Sequence, residues 1–221
     1  MAEPLRTRIK FCGMTRVEDA VRAAALGVDA IGLVFAPRSP RCVGIEAARA
    51  IRDALPPFVS TVALCMDHAA EDVRAIVAAL QPTLLQFHGG EDDAFAATFG
   101  VPYLKAVAMG AGADGAHAAA SRWPRAAGFV FDGHAPGAMG GSGEAFDWTR
   151  WPADLDRPAL LAGGLTPDTV FAAVTATRAW GVDVSSGIEA GTPGVKDADR
   201  MHRFVAEVAR ADAAARMRLM H

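Results

Sequence analysis

The segment PALLAGGLTPDTVFAAVTATRAWGVDVSSG, residues 158–187, decides the fold. It opens with a short apolar run (158–162) that ends in Gly163-Gly164. Thr166 then stands where a helix N-cap belongs, with Pro167 at the first helical position. An Ala-rich stretch follows, and Gly181 sits where that helix should stop. A second apolar run, VDVSS (182–186), closes the unit and leads into Gly187. A strand, a helix and another strand in this order form the repeating unit of a parallel sheet.

The same unit extends backwards through the chain. Strand-like runs occur at RIKFC (8–12), DAIGLVF (29–35), FVSTVALC (58–65), TLLQF (83–87), YLKAVA (103–108) and GFVF (128–131). Amphipathic Ala-rich stretches between the runs begin near residues 16, 45, 70, 91, 114, 146 and 167, with a last one near 197. Thr15 reads as another N-cap and Gly27 as another helix stop. Pro and Gly are scattered, so no linker divides the chain. Eight units in 221 residues predict a single (β/α)8 barrel, class α/β, with residues 1–7 as a short N-terminal extension and about 209–221 as a helical tail. A doubly wound open sheet is the alternative, and it ordinarily has fewer strands at this length.

Composition narrows the function classes. Hydrophobic residues are 52% and charged residues 21%, enough apolar material for a large core. The net charge of -3 gives no basic excess for nucleic acid and no charged block for a membrane surface. No apolar run is long enough to span a bilayer, and the start MAEPLRTRIKF lacks a secretory h-region. Cys12, Cys42 and Cys65 are widely spaced and odd in number. That argues against a disulfide framework or a thiolate zinc site and fits a reducing cytoplasm. No pair of histidines has metal-ligand spacing, so no metal is expected.

In a (β/α)8 barrel, function sits where strands end and βα loops begin. Gly163-Gly164 and Ser185-Ser186-Gly187 end the seventh and eighth runs, the usual place of a phosphate cradle in this fold, where backbone N–H groups approach an anion closely. Gly110, Gly112 and Gly115 match a dinucleotide fingerprint, but they fall in mid-series in an Ala/Gly-rich turn and read as solvated loop.

Lys10 and Cys12 share strand parity. Cys12 precedes Gly-Met-Thr at a helix start and reads either as a buried small hydrophobe or as a reactive thiolate. Asp132 ends FVFD and opens a glycine-rich loop, so it is a cap or a functional acid. Asp183 lies in the last run, next to the first in a closed barrel, and reads either as the partner of Lys10 in an internal ion pair or as a substrate-binding side chain. Arg41, like Arg38, lies near the barrel mouth, where guanidinium can fork a carboxylate. Gln86 and His88 alternate along the fourth run and face the same way, toward a pocket or a polar layer. Cys42 and Cys65 read as structural.

KFCGMT, GLVFAPRSPRCV, LLQFHG, VFD followed by GGSGEAFDW, LAGGLTPDTV and VDVSSGIE with PGVKD stand in the order found in phosphoribosylanthranilate isomerases. The chain resembles that family from about residue 8 to about residue 208. The resemblance implies a (β/α)8 enzyme of tryptophan biosynthesis. It would rearrange N-(5-phosphoribosyl)anthranilate to 1-(2-carboxyphenylamino)-1-deoxyribulose 5-phosphate. By the same resemblance Cys12 matches the general base, Asp132 the general acid and Arg41 the carboxylate-binding arginine. The Gly163-Gly164 and Ser185-Ser186-Gly187 loops match the phosphate site.

The implied substrate is a small phosphosugar, with no cofactor, no nucleic acid and no membrane partner, in a monomer or weak homodimer. The departures are Cys42 for an aromatic residue, Phe87 for leucine, Ser142 for threonine and Gly133 for serine. Two other readings share the barrel: a different phosphosugar isomerase or epimerase, and a phospho-ligand sensor without turnover.

Overall fold

The computed structural model describes residues 6–109, 115–133, 148, 151–152 and 154–219. Eight strands close into one parallel barrel in sequence order, and β1 pairs with β8 to complete it. They are β1 (Arg8–Phe11), β2 (Ala30–Val34), β3 (Ser60–Cys65), β4 (Leu84–Phe87), β5 (Tyr103–Ala108), β6 (Gly128–Asp132), β7 (Ala159–Leu161) and β8 (Gly181–Val184). Each coincides with one of the eight apolar runs, so the barrel reading holds and the open-sheet alternative falls.

The described helices are α1 (Val17–Ala25), α2 (Ile45–Asp53), α3 (Ala70–Leu80), α4 (Asp93–Ala97), α5 (Ala116–Arg122), α6 (Val170–Thr177) and α7 (Ala198–Leu219). The helix expected near 146, the GGSG loop (140–143) with Ser142, and Gly110 and Gly112 lie outside the described residues.

Strand parity divides the core. Phe11, Ile31, Leu33, Phe87, Phe131 and Leu161 point outward and are fully buried against the helices. Alanines at Ala20, Ala23, Ala48, Ala119 and Ala173 line the helix faces of that layer and let the helices sit close to the sheet. On α7, Met201, Phe204, Val208 and Ala211 recur at helical spacing and make one apolar stripe. Phe204 meets Phe11 edge-on, with ring centroids 5.8 Å apart. Inside the barrel the apolar residues form two small clusters, one around Leu104, Val130 and Leu160 and one around Cys12, Val34 and Leu64. The polar side chains of the interior belong to neither cluster.

The residues just ahead of β1 are tied to α7. Thr7 donates from its backbone N–H and its hydroxyl to the Asp212 carboxylate of α7, at 2.9 and 2.7 Å. Asp29 accepts from the Ile9 N–H at 2.8 Å.

Three expectations about helix ends are corrected. Thr15 is not the cap of α1; the N-cap is Arg16, and Thr15 instead donates to the Gly194 carbonyl at 2.7 Å. Thr166 caps a preceding turn, its hydroxyl accepting from the Asp168 N–H at 3.2 Å, and α6 starts at Val170 with Thr169 as N-cap. Gly181 is the first residue of β8, and α6 stops at Arg178, which takes a left-handed conformation (φ 51°). For Thr15 and Gly181 a contact from another loop or strand decides the use, whereas Thr166 bonds within its own turn. Gly27 does end α1, at φ 83°.

Candidate functional site

The C-terminal ends of the strands surround one pocket. Cys12, Arg41, Gln86, His88, Asp132 and Asp183 line it, together with Gly163, Gly164, Ser185 and Ser186. Gly187 does not line it; a Cβ there would stand 1.9 Å from the Leu165 carbonyl oxygen, so Gly187 packs the β8 loop onto the β7 loop behind the pocket. Arg38 is exposed and outside it.

Cys12 follows β1 directly, and its N–H donates to the Val184 carbonyl at 2.8 Å, which continues the β1–β8 pairing. The room for its side chain comes from β2. A Cβ on Gly32 would lie 2.7 Å from Cys12 Sγ and 3.0 Å from Cys12 Cα. Below it, Lys10 Nζ donates to Asp183 Oδ2 at 2.8 Å, with both side chains buried. Burial lowers the Lys10 pKa, but Asp183 and Cys12 outweigh it and hold Lys10 as an ammonium. For Cys12, burial pushes the thiol pKa up. Lys10 opposes the rise, Asp183 adds to it and Lys196 again opposes it, leaving the pKa raised. Cys65 is different: burial, aided by Glu91, pushes its thiol up to about 12, in the layer beneath the helices.

Asp132 ends β6, 7% exposed. Gly163 approaches it from the β7 loop at φ 88°, and a Cβ there would lie 2.9 Å from Asp132 Oδ1 and 2.4 Å from the Gly133 nitrogen. No other residue type fits that approach and that φ without strain. Gly164 follows, and the Ser185-Ser186 segment leads into a single 3-10 turn, Ser186–Ile188.

Arg41 returns to the mouth because the chain after β2 doubles back: Val43 N–H donates to the Val34 carbonyl at 2.9 Å. Its guanidinium forks Glu189, Nε to Oε1 at 2.7 Å and Nη2 to Oε2 at 2.8 Å. Lys196 Nζ reaches Glu189 Oε1 at 3.0 Å and the Ser185 carbonyl at 3.1 Å. Two buried acceptors, Gln86 Oε1 and Asp183 Oδ1, have no hydrogen-bond partner among the described residues. An acceptor buried in that way costs about 1–3 kcal/mol and is satisfied by a ligand hydroxyl or water.

The pocket therefore holds a thiol flanked by cations, a carboxyl group at the end of β6, a guanidinium and two glycine- and serine-rich loops. Such a set can move protons and hold a ligand anionic at both ends. Among the described residues no group of three His, Cys, Asp or Glu side chains is placed to hold a metal ion, and no helix is long and apolar enough to cross a membrane.

Sequence reasoning missed Gly32, Glu189 and Lys196. For Gly32 a signal existed, since a glycine inside a strand marks a close approach. Glu189 and Lys196 lie in the VDVSSGIE and PGVKD motifs, but neither periodicity nor spacing set them apart there.

Residues 9–207 match the family profile described as N-(5'phosphoribosyl)anthranilate (PRA) isomerase. The N-(5'-phosphoribosyl)anthranilate isomerase of Xanthomonas campestris pv. campestris (strain 8004) is 57% identical over 212 residues, 94% of this chain and 95% of that protein. The crystal structure of phosphoribosyl anthranilate isomerase from Thermus thermophilus superposes with a TM-score of 0.81 at 36% identity, covering 92% of this chain and 99% of that one. A phosphoribosyl anthranilate isomerase in complex with reduced 1-(o-carboxyphenylamino)-1-deoxyribulose 5-phosphate gives 0.76 at 30%, with 92% and 99% covered.

Proposed function

This chain belongs to the N-(5'-phosphoribosyl)anthranilate isomerase family, and we propose that Cys12 and Asp132 are the base and acid with which it rearranges N-(5'-phosphoribosyl)anthranilate in tryptophan biosynthesis. The observation that carries this reading is that Cys12, Asp132, Arg41 and the loops after β7 and β8 line one pocket although they come from five different strand ends.

Asp132 gives its proton to the furanose ring oxygen, the C1′–O bond breaks, and the nitrogen lone pair forms a Schiff base. Cys12 as thiolate takes the proton from C2′, and the electrons move to give an enolamine. The enolamine gains a proton at C1′ and loses one from the C2′ hydroxyl, leaving the ketone. Oxidation at C2′ balances reduction at C1′, so the rearrangement is internal and needs no cofactor. Lys10 favours the thiolate, since an adjacent cation offsets part of the burial cost.

Gly163, Gly164, Ser185, Ser186 and Gly187 hold the phosphate, and Gly187 also packs its loop against the β7 loop. Arg41 holds the anthranilate carboxylate with the guanidinium donors that Glu189 leaves over. Asp183 Oδ1 and Gln86 Oε1 accept from sugar hydroxyls, and His88 borders the aromatic ring. Fixing both ends keeps the acyclic intermediate between acid and base, a gain of the kind that proximity supplies. One barrel carries the whole site, so a monomer or weak homodimer suffices. That Cys12, Cys42 and Cys65 are all free supports the cytoplasm.

The test mixes purified protein with freshly generated phosphoribosylanthranilate and follows the loss of its fluorescence. Cys12→Ser and Asp132→Asn are each expected to lose about two or more orders of magnitude in kcat while remaining folded. Arg41→Ala is expected chiefly to raise KM. Near-normal turnover by the Cys12 or Asp132 variant removes that residue from the mechanism, and binding without turnover in the unaltered protein favours a sensor.

A further inference from the structure

Arg41 and Ser185 come from opposite sides of β1, one after β2 and the other after β8, yet they converge on Gly13. A Cβ on Gly13 would lie 2.5 Å from Arg41 Cδ and 2.9 Å from Ser185 Oγ. What joins them is buried. Glu189 accepts both Arg41 donors, the Gly194 N–H at 2.8 Å and Lys196 Nζ at 3.0 Å. Lys196 then donates to the Ser185 carbonyl at 3.1 Å and approaches Ser185 Oγ at 3.4 Å. The Lys196 side chain is fully buried and that of Glu189 is 6% exposed. The segment carrying both is pinned to the barrel: Asp19 Oδ2 accepts the Lys196 N–H at 3.0 Å, and Thr15 holds the Gly194 carbonyl.

A buried ion pair contributes little net stability, because desolvating two charges offsets most of their attraction. This one connects a carboxylate-binding arm to a phosphate-binding loop above the base. We propose that Glu189 and Lys196 are positioning residues that set the distance between Arg41 and Ser185, and so match the site to a ligand carrying a carboxylate at one end and a phosphate at the other. The inference rests on the assignment of Arg41 to the carboxylate and Ser185 to the phosphate. Neither Glu189 nor Lys196 touches the reacting carbons. Their effect is felt only when both ends of one molecule are engaged, as in any two-point attachment whose strength depends on the spacing of its sites.

Calorimetric titration of the full chain with three probes tests this. Ribose 5-phosphate carries only the phosphate, anthranilate only the carboxylate, and reduced 1-(2-carboxyphenylamino)-1-deoxyribulose 5-phosphate carries both. In Lys196→Met the two-ended probe is expected to weaken by about tenfold or more and kcat to fall by a similar factor, while each one-ended probe changes by less than about threefold. Glu189→Gln, which keeps the volume and an acceptor for Arg41, is expected to move the same way and serves if Lys196→Met does not fold. Equal losses on all three probes, or no loss on the two-ended probe, overturn the proposal and leave the site assignment standing. Failure of the unaltered protein to bind either one-ended probe in competition with substrate overturns the site assignment itself.

Discussion

Lys10 Nζ lies 2.8 Å from Asp183 Oδ2 inside the barrel, where the two strands that close the sheet meet. The register pairs their Cα atoms directly. Asp183 and Gln86 line the pocket, and Lys10 does not. The presence of the ion pair inside the barrel, and not at the surface, ties closure of the fold to the electrostatics of Cys12.

Removing one partner leaves a bare charge in a dry interior. Lys10→Met is expected to lower unfolding free energy by about 3–5 kcal/mol, and Lys10→Met combined with Asp183→Leu to recover most of that loss. Urea unfolding followed by circular dichroism checks both. A double variant as unstable as the single one contradicts the ion-pair account.

Gly32 leaves the room beside β2 that the Cys12 side chain occupies. In Gly32→Ala the new methyl would stand 2.7 Å from the sulfur and 3.0 Å from Cys12 Cα, and the second of these is backbone and cannot swing aside. The variant is expected to fold, with kcat reduced about tenfold or more by the displaced sulfur, and with KM nearly unchanged. Steady-state kinetics on phosphoribosylanthranilate gives the answer, and an unchanged kcat shows that the sulfur's position is not critical.

Cys12 offers a direct reading of its own charge. Burial outweighs Lys10 and Lys196, so its alkylation by iodoacetamide, resolved by peptide mass spectrometry, is expected to accelerate with pH to a midpoint above that of an ordinary exposed thiol. Removal of Lys10 should move the midpoint higher still, because the nearest stabilising cation is gone. A midpoint below neutrality reverses the balance proposed for this site.

Glu189 makes stability depend on acid. Burial alone would raise its pKa; Arg41, the Gly194 N–H and Lys196 overrule burial and bring it down to about 2, from 4.5. A carboxylate depressed in the folded state stabilises fully above its unfolded pKa and loses that contribution as pH falls through the folded one. The advantage of the unaltered protein over Glu189→Gln is therefore expected to shrink by about 3 kcal/mol between pH 5 and pH 2. Urea midpoints measured across that window report it, and a constant difference rules out the linkage.

The residues of the site were legible to different degrees. Cys12, Asp132, Gly163 and Ser185 stood out because each interrupts an apolar run at its end, a local event that strand periodicity exposes. Gln86 and His88 followed from parity along β4. Gly187 carried the same local mark as Ser186, and its missing Cβ lets the β8 loop lie against the Leu165 backbone. Thr15 looked like a cap and serves the Gly194 loop instead, since a hydroxyl beside a helix start bonds whichever group the neighbouring loop presents.

By itself the sequence determined the eight alternating units and the face on which each strand residue lies. Both follow from the period of the backbone and from which side chains leave water, and neither needs a distant partner. Only the tertiary structure decided which loops meet. Arg41 is forked by Glu189 from 148 positions away, and Gly32 makes the room that Cys12 occupies. Those contacts exist because closing the sheet brings β8 against β1 and β1 against β2. The register of that closure depends on packing all eight strands at once, and no short stretch of the chain contains it.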